Sequence, residues 1–359
     1  MPGYSRPVAL ITGTISPYRR EPFRLLGQEL GIEVLAFEDT GPPIEGLVTR
    51  RVSQGGAVRL VASGRYAAVI CGLGGRLALP GSYAAARVRR IPFVLWATIW
   101  EHPRTVAHRL SWLPTRHLYR HADAVATYGD HVSRHVERHR GARGNVFVAP
   151  QAVDVDHFAA PVADRERAAA RERAGAGPDD ALFLFVGRLE PEKGVDVLLD
   201  AWRIAGLEGA RLAFAGDGPL AAEIARQGPS VRSLGYVDAS QLPALYAAAD
   251  ALVLPSVATA TFKEPWGLVV NESMLQSTPV IASDVVGAAA AGLVADGRTG
   301  LVFPAADSAA LAGRLQRFAT DVQSRSEMGV RARTAALELD PAAWARGMRT
   351  AVDSAMTKR

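Results

Sequence analysis

The sequence predicts an α/β protein of two doubly wound halves, each a parallel sheet layered between helices. Three observations lead there. Short apolar runs alternate with stripes of helical period along most of the chain, the pattern of repeated strand–helix units. The 359 residues exceed what one hydrophobic core usually serves, so two domains are expected. Between residues 160 and 180 the text turns to Ala, Arg, Glu, Gly and Pro and closes on Asp179-Asp180, which reads as a linker with one short charged helix.

In the first half the apolar runs are 8–12, 33–37, 67–71, 93–96, 124–127 and 146–149, with helix candidates at 17–30, 105–120 and 131–139. A second series of runs follows at 182–186, 211–215, 231–234, 251–254 and 279–282. The helix after its first strand carries Val195, Leu198, Leu199 and Trp202 at i, i+3, i+4 and i+7, one core-facing stripe. The last segment opens on Asp340-Pro341, a helix start, and carries Trp344. The expected division is therefore 1–160, a linker 161–180, 181–339, and a terminal helix 340–359 that packs back on the first domain. In such sheets ligands sit beyond the carboxyl ends of the strands, so two facing halves would collect their loops in a cleft.

Composition is globular, 48% apolar and 21% charged, without low-complexity tracts, so disorder is not expected. A single cysteine, Cys71, excludes an internal disulfide and suits a reducing cytoplasm, the thiol being read as core. No signal peptide is legible, and no apolar stretch reaches the roughly 20 residues of a bilayer span. The net charge of +5 is uneven: residues 1–160 hold 20 Lys/Arg against 12 Asp/Glu, and residues 161–359 hold 21 against 24. In the basic half Arg87, Arg89, Arg90, His108, Arg109, Arg116, Arg120, Arg134, Arg138 and Arg140 mingle with Trp112, Leu113 and Leu118. That mix would suit the anionic headgroups of an inner membrane surface, and solvated helix faces explain it equally well. Nucleic acid is not an expected partner, because no aromatic stacking platform accompanies the charge.

Chemistry gathers in the second half. In "LFLFVGRLEPEKGVDVLLDAW" a buried strand runs into Gly187-Arg188, and Lys193-Gly194 opens the next helix. Two cations on one loop can converge on a diphosphate, Arg by bidentate hydrogen bonds and Lys as a compact charge. The plainer reading makes them surface cations beside Glu190 and Glu192. In "KEPWGLVVNESMLQSTPVIASDVVGA" Glu264 precedes a helix and Glu272 lies about one turn inside it. The N–H groups of Gly267, Leu268 and Val269 at that helix start offer a site for anions or sugar hydroxyls. Glu272 as an ordinary exposed residue sits awkwardly with a helix whose other positions, Leu268, Val269, Val270, Met274 and Leu275, leave almost no polar face.

These motifs resemble those of the family-four retaining glycosyltransferases of GT-B fold, such as bacterial capsule, cell-wall and exopolysaccharide enzymes. The Gly-Arg-Leu…Lys-Gly stretch, "AGDGPL" at 215–220, "LGYV" at 234–237, "ADALVLPS" ending at Ser256 and the two spaced glutamates keep that family's order. In the first half "ITGTISPYRREPFRLL" resembles the opening of members that lack a glycine-rich first loop. "VAPQAVDVDHF" resembles the crossover stretch, with Gln151 and Ala152 where Asn and Gly are usual.

The resemblance implies two Rossmann-like domains with parallel sheets facing across a cleft. It implies a nucleotide-diphosphate sugar as co-substrate, UDP favoured and GDP second, with no cofactor and no metal. Arg188 and Lys193 would hold the diphosphate, Glu264 the transferred sugar and Glu272 the ribose. Gly187, Gly216, Trp266, Gly267, Leu268 and Val269 would complete the donor site, with Tyr236 and Val237 near the nucleobase. From the first domain Gly13 and Thr14 would close over the phosphates, where Ser16-Pro17 also reads as a helix cap and first helical residue. Tyr18, Arg19, Trp100 and Glu101 would meet the acceptor, a lipid-linked or polysaccharide precursor, or else a soluble small molecule. His102 is the candidate for the family's active-site histidine, with Trp96 or Trp100 as competing occupants of that place. His117, His121, His131 and His135 read as surface residues. The enzyme would be cytoplasmic, with the inner membrane face as a docking surface.

Two signals point elsewhere. Asp154-Val155-Asp156 has the form of a divalent-metal motif but falls in the crossover region and reads as structural. Gly216-Asp217-Gly218 after a strand, with Ala221 and Asp238 beyond, is the best case for a dinucleotide-dependent oxidoreductase, yet no residue is legible for the hydride step. A sugar-nucleotide epimerase, a phosphorylase and a non-catalytic sugar-nucleotide binder are further rivals.

Overall fold

The computed structural model describes residues 4–102 and 105–357, and the side chains of 106–110 and 142, including His108 and Arg109 of the basic cluster, lie outside the described residues. The chain forms two compact units: one runs to Ala152 and takes in the segment from Asp340 onward, the other spans Val153–Leu339.

The first unit holds β1 (Val8–Thr14), β2 (Ile32–Asp39), β3 (Val48–Arg51), β4 (Ala68–Gly72), β5 (Phe93–Ala97), β6 (Ala124–Thr127) and β7 (Val146–Val148). They form one sheet in the order β3-β2-β1-β4-β5-β6-β7, every neighbouring pair parallel. A parallel sheet is covered on both faces, so its strands read as unbroken apolar runs; Val8 to Ile11 have no exposed surface. The edge strand β3 is the exception. Its Val-Thr-Arg-Arg is largely exposed, and it carries no apolar run to read from sequence. Arg50 from β3 and Arg65 (3.1 Å) both pair with the buried Glu33 of β2.

After β1 a 3-10 turn, Pro17–Arg19, leads into the helix Arg20–Leu30, which buries Phe23, Leu26 and Leu30. Ser16 stands at the cap position, but its side chain makes no capping hydrogen bond, unlike the expectation from Ser16-Pro17. The terminal helix Pro341–Thr357 lies against the helix Arg20–Leu30 and against β5, β6 and β7. Its Trp344 is fully buried, with ring centroids 5.5 Å from Phe23 and 5.6 Å from Trp96.

His131 and His135, read as surface residues, are buried on the inner side of the helix Asp130–Arg140. Their rings meet Trp100 at 5.3 Å and Tyr119 at 5.7 Å. Burial pushes His135 down to about 4, so it enters the core as a neutral imidazole. Cys71 is buried as expected, its thiol pushed up to about 12 by burial.

The second unit holds β8 (Ala181–Val186), β9 (Ala210–Ala215), β10 (Val231–Gly235), β11 (Ala251–Leu254), β12 (Val280–Ser283) and β13 (Gly300–Phe303). Its sheet runs β10-β9-β8-β11-β12-β13, again all parallel. Val195, Leu198, Leu199 and Trp202 of the helix Val195–Ala205 are all buried against this sheet with Phe183, Phe185 and Phe214. The stretch 153–180 is integral to this unit. Phe158 is buried, Gln276 Nε2 donates to the carbonyls of Phe158 (2.6 Å) and Ala160 (2.9 Å), and Arg171 of the helix Asp164–Arg173 donates to Ala248 O (2.8 Å). The chain thus divides after Ala152, ahead of the stretch whose composition reads as a linker.

In each sheet the strand order runs outward in both directions from its first strand. This leaves a switch point at the carboxyl ends of β1 and β4, and another at those of β8 and β11. No helix among the described residues is long and apolar enough to cross a membrane.

Candidate functional site

At the switch point of the second unit, β8 ends in Gly187-Arg188-Leu189-Glu190, a 3-10 turn covers Pro191–Lys193, and Gly194 (φ 71°) starts the helix Val195–Ala205. A Cβ on Gly194 would lie 2.0 Å from the carbonyl oxygen of Pro255, just beyond β11. Only glycine lets the two strand exits approach so closely, and Val257 N locks them by donating to Glu192 O at 3.0 Å. Lys193 is thereby carried across to the loop that follows β11. Its ammonium meets the buried Glu264 carboxylate at 2.5 Å, Ser256 Oγ donates to the same Oε2 at 3.1 Å, and the Phe262 ring lies 4.9 Å from Nζ. The pair is joined across 71 positions of sequence.

Gly194→Ala should therefore destabilise the protein by at least about 1–3 kcal/mol, the cost of a strained left-handed residue, with the steric clash added. Denaturant unfolding checks it; an unchanged midpoint would mean that the backbone approach is absent.

Arg188 is 58% exposed at its side chain and pairs with Glu190 and with Glu192 at 3.5 Å, the plainer of the two geometries foreseen for it. Among the described residues no hydrogen bond or ion pair joins Arg188 to Lys193. The Gly216-Asp217-Gly218 turn packs directly beneath the Arg188 loop. Leu189 N donates to Asp217 O at 2.8 Å, and a Cβ on Gly216 would stand 1.8 Å from Gly187 O. Close packing of two loops accounts for these glycines without any dinucleotide.

Glu264 leads to the helix Leu268–Leu275, capped by Gly267 (φ 92°), so the N–H groups of Gly267, Leu268 and Val269 open that helix. The Trp266 ring is turned inward: it is buried and its Nε1 donates to Asn271 Oδ1 at 2.7 Å. Glu272 is half-buried and accepts from Tyr246 Oη at 2.6 Å. Burial pushes its carboxyl up to about 7, with the Tyr246 hydrogen bond working in the opposite direction. Tyr236 is 77% exposed, whereas its neighbour Val237 is buried.

At the switch point of the first unit residues at and beyond the carboxyl ends of β1, β4, β5 and β6 line a cavity of about 190 Å³. Gly13, Thr14, Tyr18 and Arg19 all contribute to it, together with Trp96, Thr98 and Tyr128. Thr14 Oγ1 donates to Glu38 Oε2 at 3.1 Å. Trp100, Glu101 and His102 are not among the lining residues. His102 instead lies against the helix Val106–His121, with Nε2 3.5 Å from Ser111 Oγ and its ring 5.0 Å from Trp112. Asp154 caps the helix Val155–Phe158 by accepting from His157 N at 3.0 Å, a structural use of the Asp-Val-Asp motif.

Ser256, Tyr246 and Tyr128 had no part in the donor or acceptor set read from sequence, and Trp96 entered only as a competing occupant of the histidine's place. Ser256 ends the "ADALVLPS" strand and could have been noted there. Tyr246 and Tyr128 act on partners 26 and 109 positions away, beyond any local pattern.

Residues 166–335 match the profile of the glycosyl transferases group 1 family, nearly the whole second unit. That stretch, just under half of the chain, is similar to the group 1 glycosyl transferases. The chain is 35% identical over 223 residues to a D-inositol 3-phosphate glycosyltransferase of Streptomyces avermitilis, a match covering 57% of this chain and 46% of that relative. It is 27% identical over 263 residues to the alpha-D-kanosaminyltransferase of Streptomyces kanamyceticus, covering 68% of this chain and 66% of the relative. The chain thus spans about half the length of the inositol phosphate relative. Among solved structures it shares its GT-B fold with Anabaena HepE, solved in complex with UDP and glucose (TM-score 0.76, 19% identity, 97% of this chain and 100% of that one). It also shares it with the sucrose-phosphate synthase of Thermosynechococcus elongatus (TM-score 0.73, 22% identity, 96% and 97%).

Proposed function

We propose that the protein is a retaining hexosyltransferase that moves a sugar from a nucleotide diphosphate, UDP first and GDP second, onto an acceptor hydroxyl without a metal ion. The observation that carries this is the buried Lys193–Glu264 pair at the carboxyl ends of β8 and β11, next to a helix opened by Gly267. A fixed ammonium at a strand exit and a set of helix N–H groups stabilise charge where it grows, on the leaving diphosphate. In the transfer the bond from the anomeric carbon to the diphosphate oxygen breaks and a bond to the acceptor oxygen forms on the same face. The acceptor proton passes to the departing phosphate. Glu264 accepts from hydroxyls of the transferred sugar and Glu272 from the ribose diol, with Tyr236 beside the nucleobase. Arg188 joins the diphosphate by leaving Glu190 and Glu192, a rotation open to an exposed side chain. His102 keeps an acceptor-side role only if its loop turns from Ser111.

For the acceptor, a lipid-linked or polysaccharide precursor suits the basic first unit, which would rest on an anionic membrane surface. A soluble small-molecule acceptor is the second reading, favoured by relatives named for inositol phosphate and kanosaminyl transfer. A melting series with UDP- and GDP-sugars tests the donor, because a ligand bound only by the folded form raises the midpoint, by about 2.7 kcal/mol of stability at a hundredfold excess over Kd. The expected result is a rise with UDP-sugars that persists in EDTA. No rise with any nucleotide sugar, or a rise abolished by EDTA and restored by manganese, would overturn the reading.

A further inference from the structure

We propose that the cavity of the first unit is an anion site, with Arg19 as its cation, for a phosphate or carboxylate group carried by the acceptor. That the ligand is an acceptor rests on the glycosyltransferase reading above; the anion site itself does not.

Arg19 is only 4% exposed, yet among the described residues its one side-chain hydrogen bond runs from Nη2 to the neutral Tyr128 hydroxyl, at 2.6 Å. The rest of its surroundings are ring faces: Trp96 at 4.4 Å, Tyr18 at 5.0 Å and Tyr128 at 5.2 Å. Aromatic faces offset part of the cost of removing a guanidinium from water, but they accept none of its N–H bonds in the plane, and a guanidinium has five. Arg140 in the same unit shows what a purely structural arginine looks like at equal burial. It is also 4% exposed and donates to three carbonyls, those of Gly144, Tyr119 (2.7 Å) and Asp123 (3.2 Å). Arg19 has no such set.

What Arg19 has instead is the cavity. Its lining residues include one cation and no carboxylate; the Thr12 and Thr14 hydroxyls donate to Thr14 O and Glu38 Oε2, and Ser16 and Thr98 add their hydroxyls to the same wall. Trp96, whose indole N–H has no acceptor among the described residues, belongs to the same wall. A buried guanidinium with an indole N–H in the same wall fits an oxyanion, which Arg grips through two parallel bonds. The volume of about 190 Å³ suits one phosphate or carboxylate with part of its carrier, and is too small for a whole nucleotide sugar. The cavity also stands at the switch point of its sheet, where doubly wound proteins bind ligands.

Calorimetric titration of the full chain with inorganic phosphate, glucose 6-phosphate, glucuronate, glucose and UDP tests this. The wild type should bind glucose 6-phosphate or glucuronate at least about tenfold more tightly than glucose, the usual strength of a charge-assisted hydrogen bond. Arg19→Gln should lose that margin and bind UDP unchanged. Because Arg19 is buried, Thr98→Asp serves as a second variant: it sets a carboxylate in the wall without removing the cation, and should abolish phosphate binding with no fall in melting temperature. Anions that bind no better than glucose, or a Thr98→Asp protein that binds phosphate like the wild type, would overturn the proposal. Equal weakening of UDP and glucose 6-phosphate in Arg19→Gln would refute the acceptor assignment and give the anion to the donor. A wild type that binds glucose 6-phosphate but no UDP would sink the donor reading and leave the anion site standing.

Discussion

Lys193→Ala should lower sugar transfer by about 10²–10³-fold, the usual loss when one fixed donor to a developing negative charge is removed. The same change takes Lys193 from Glu264, whose side chain is 8% exposed, and breaking a buried pair from one side costs about 3–5 kcal/mol. Lost activity alone would therefore be ambiguous. Adding Glu264→Gln removes the buried carboxylate charge, so the double variant should recover most of its melting temperature and none of its turnover. Recovery of turnover along with stability would show that Lys193 serves the fold only.

Trp344→Ala should cost the first unit about 3–5 kcal/mol, the range for deleting a large buried aromatic side chain. The ring has no exposed surface and contacts Phe23 from the helix after β1 and Trp96 from β5, so its loss opens a cavity where three elements meet. Arg19 lies 5.9 Å above the same ring, and the anion cavity should loosen with it. Urea unfolding followed by circular dichroism should show an early transition in the variant. An unmoved midpoint would mean that the terminal helix does not close this core.

The strands that are buried on both faces were legible because burial leaves unbroken apolar runs. β3 was missed because its Val-Thr-Arg-Arg faces solvent at a sheet edge. β13 was missed for another reason: it is four residues long and starts at Gly300, a residue normally read as a break. That glycine is needed because a Cβ there would fall 2.2 Å from Val280 O. His131 and His135 were misread since a histidine in a helix pattern reads as a polar surface residue, whereas these imidazoles pack edge-on to aromatic rings as core.

For the site, the glycines and charges near Lys193 and Glu264 were visible as motifs. Their pairing depends on Gly194 fitting beneath Pro255, a contact no local spacing encodes. The inward turn of Trp266 and the capture of Glu272 by Tyr246 are likewise products of packing. Arg19 was legible as a candidate for the acceptor. That it sits caged by aromatic rings, with Tyr128 as its hydrogen-bond partner among the described residues, was not, because Tyr128 lies 109 positions away.

The return of the segment after Asp340 to the first unit has a consequence for biogenesis. On a ribosome, domains made early usually fold first. Here the first sheet is made before the helix that carries Trp344, so that the indole's place against Phe23 and Trp96 stays unfilled until the 187 residues from Val153 to Leu339 have been polymerised. A product clipped before Asp340 should therefore leave Phe23 and Trp96 uncovered and be a preferred client of holdase chaperones.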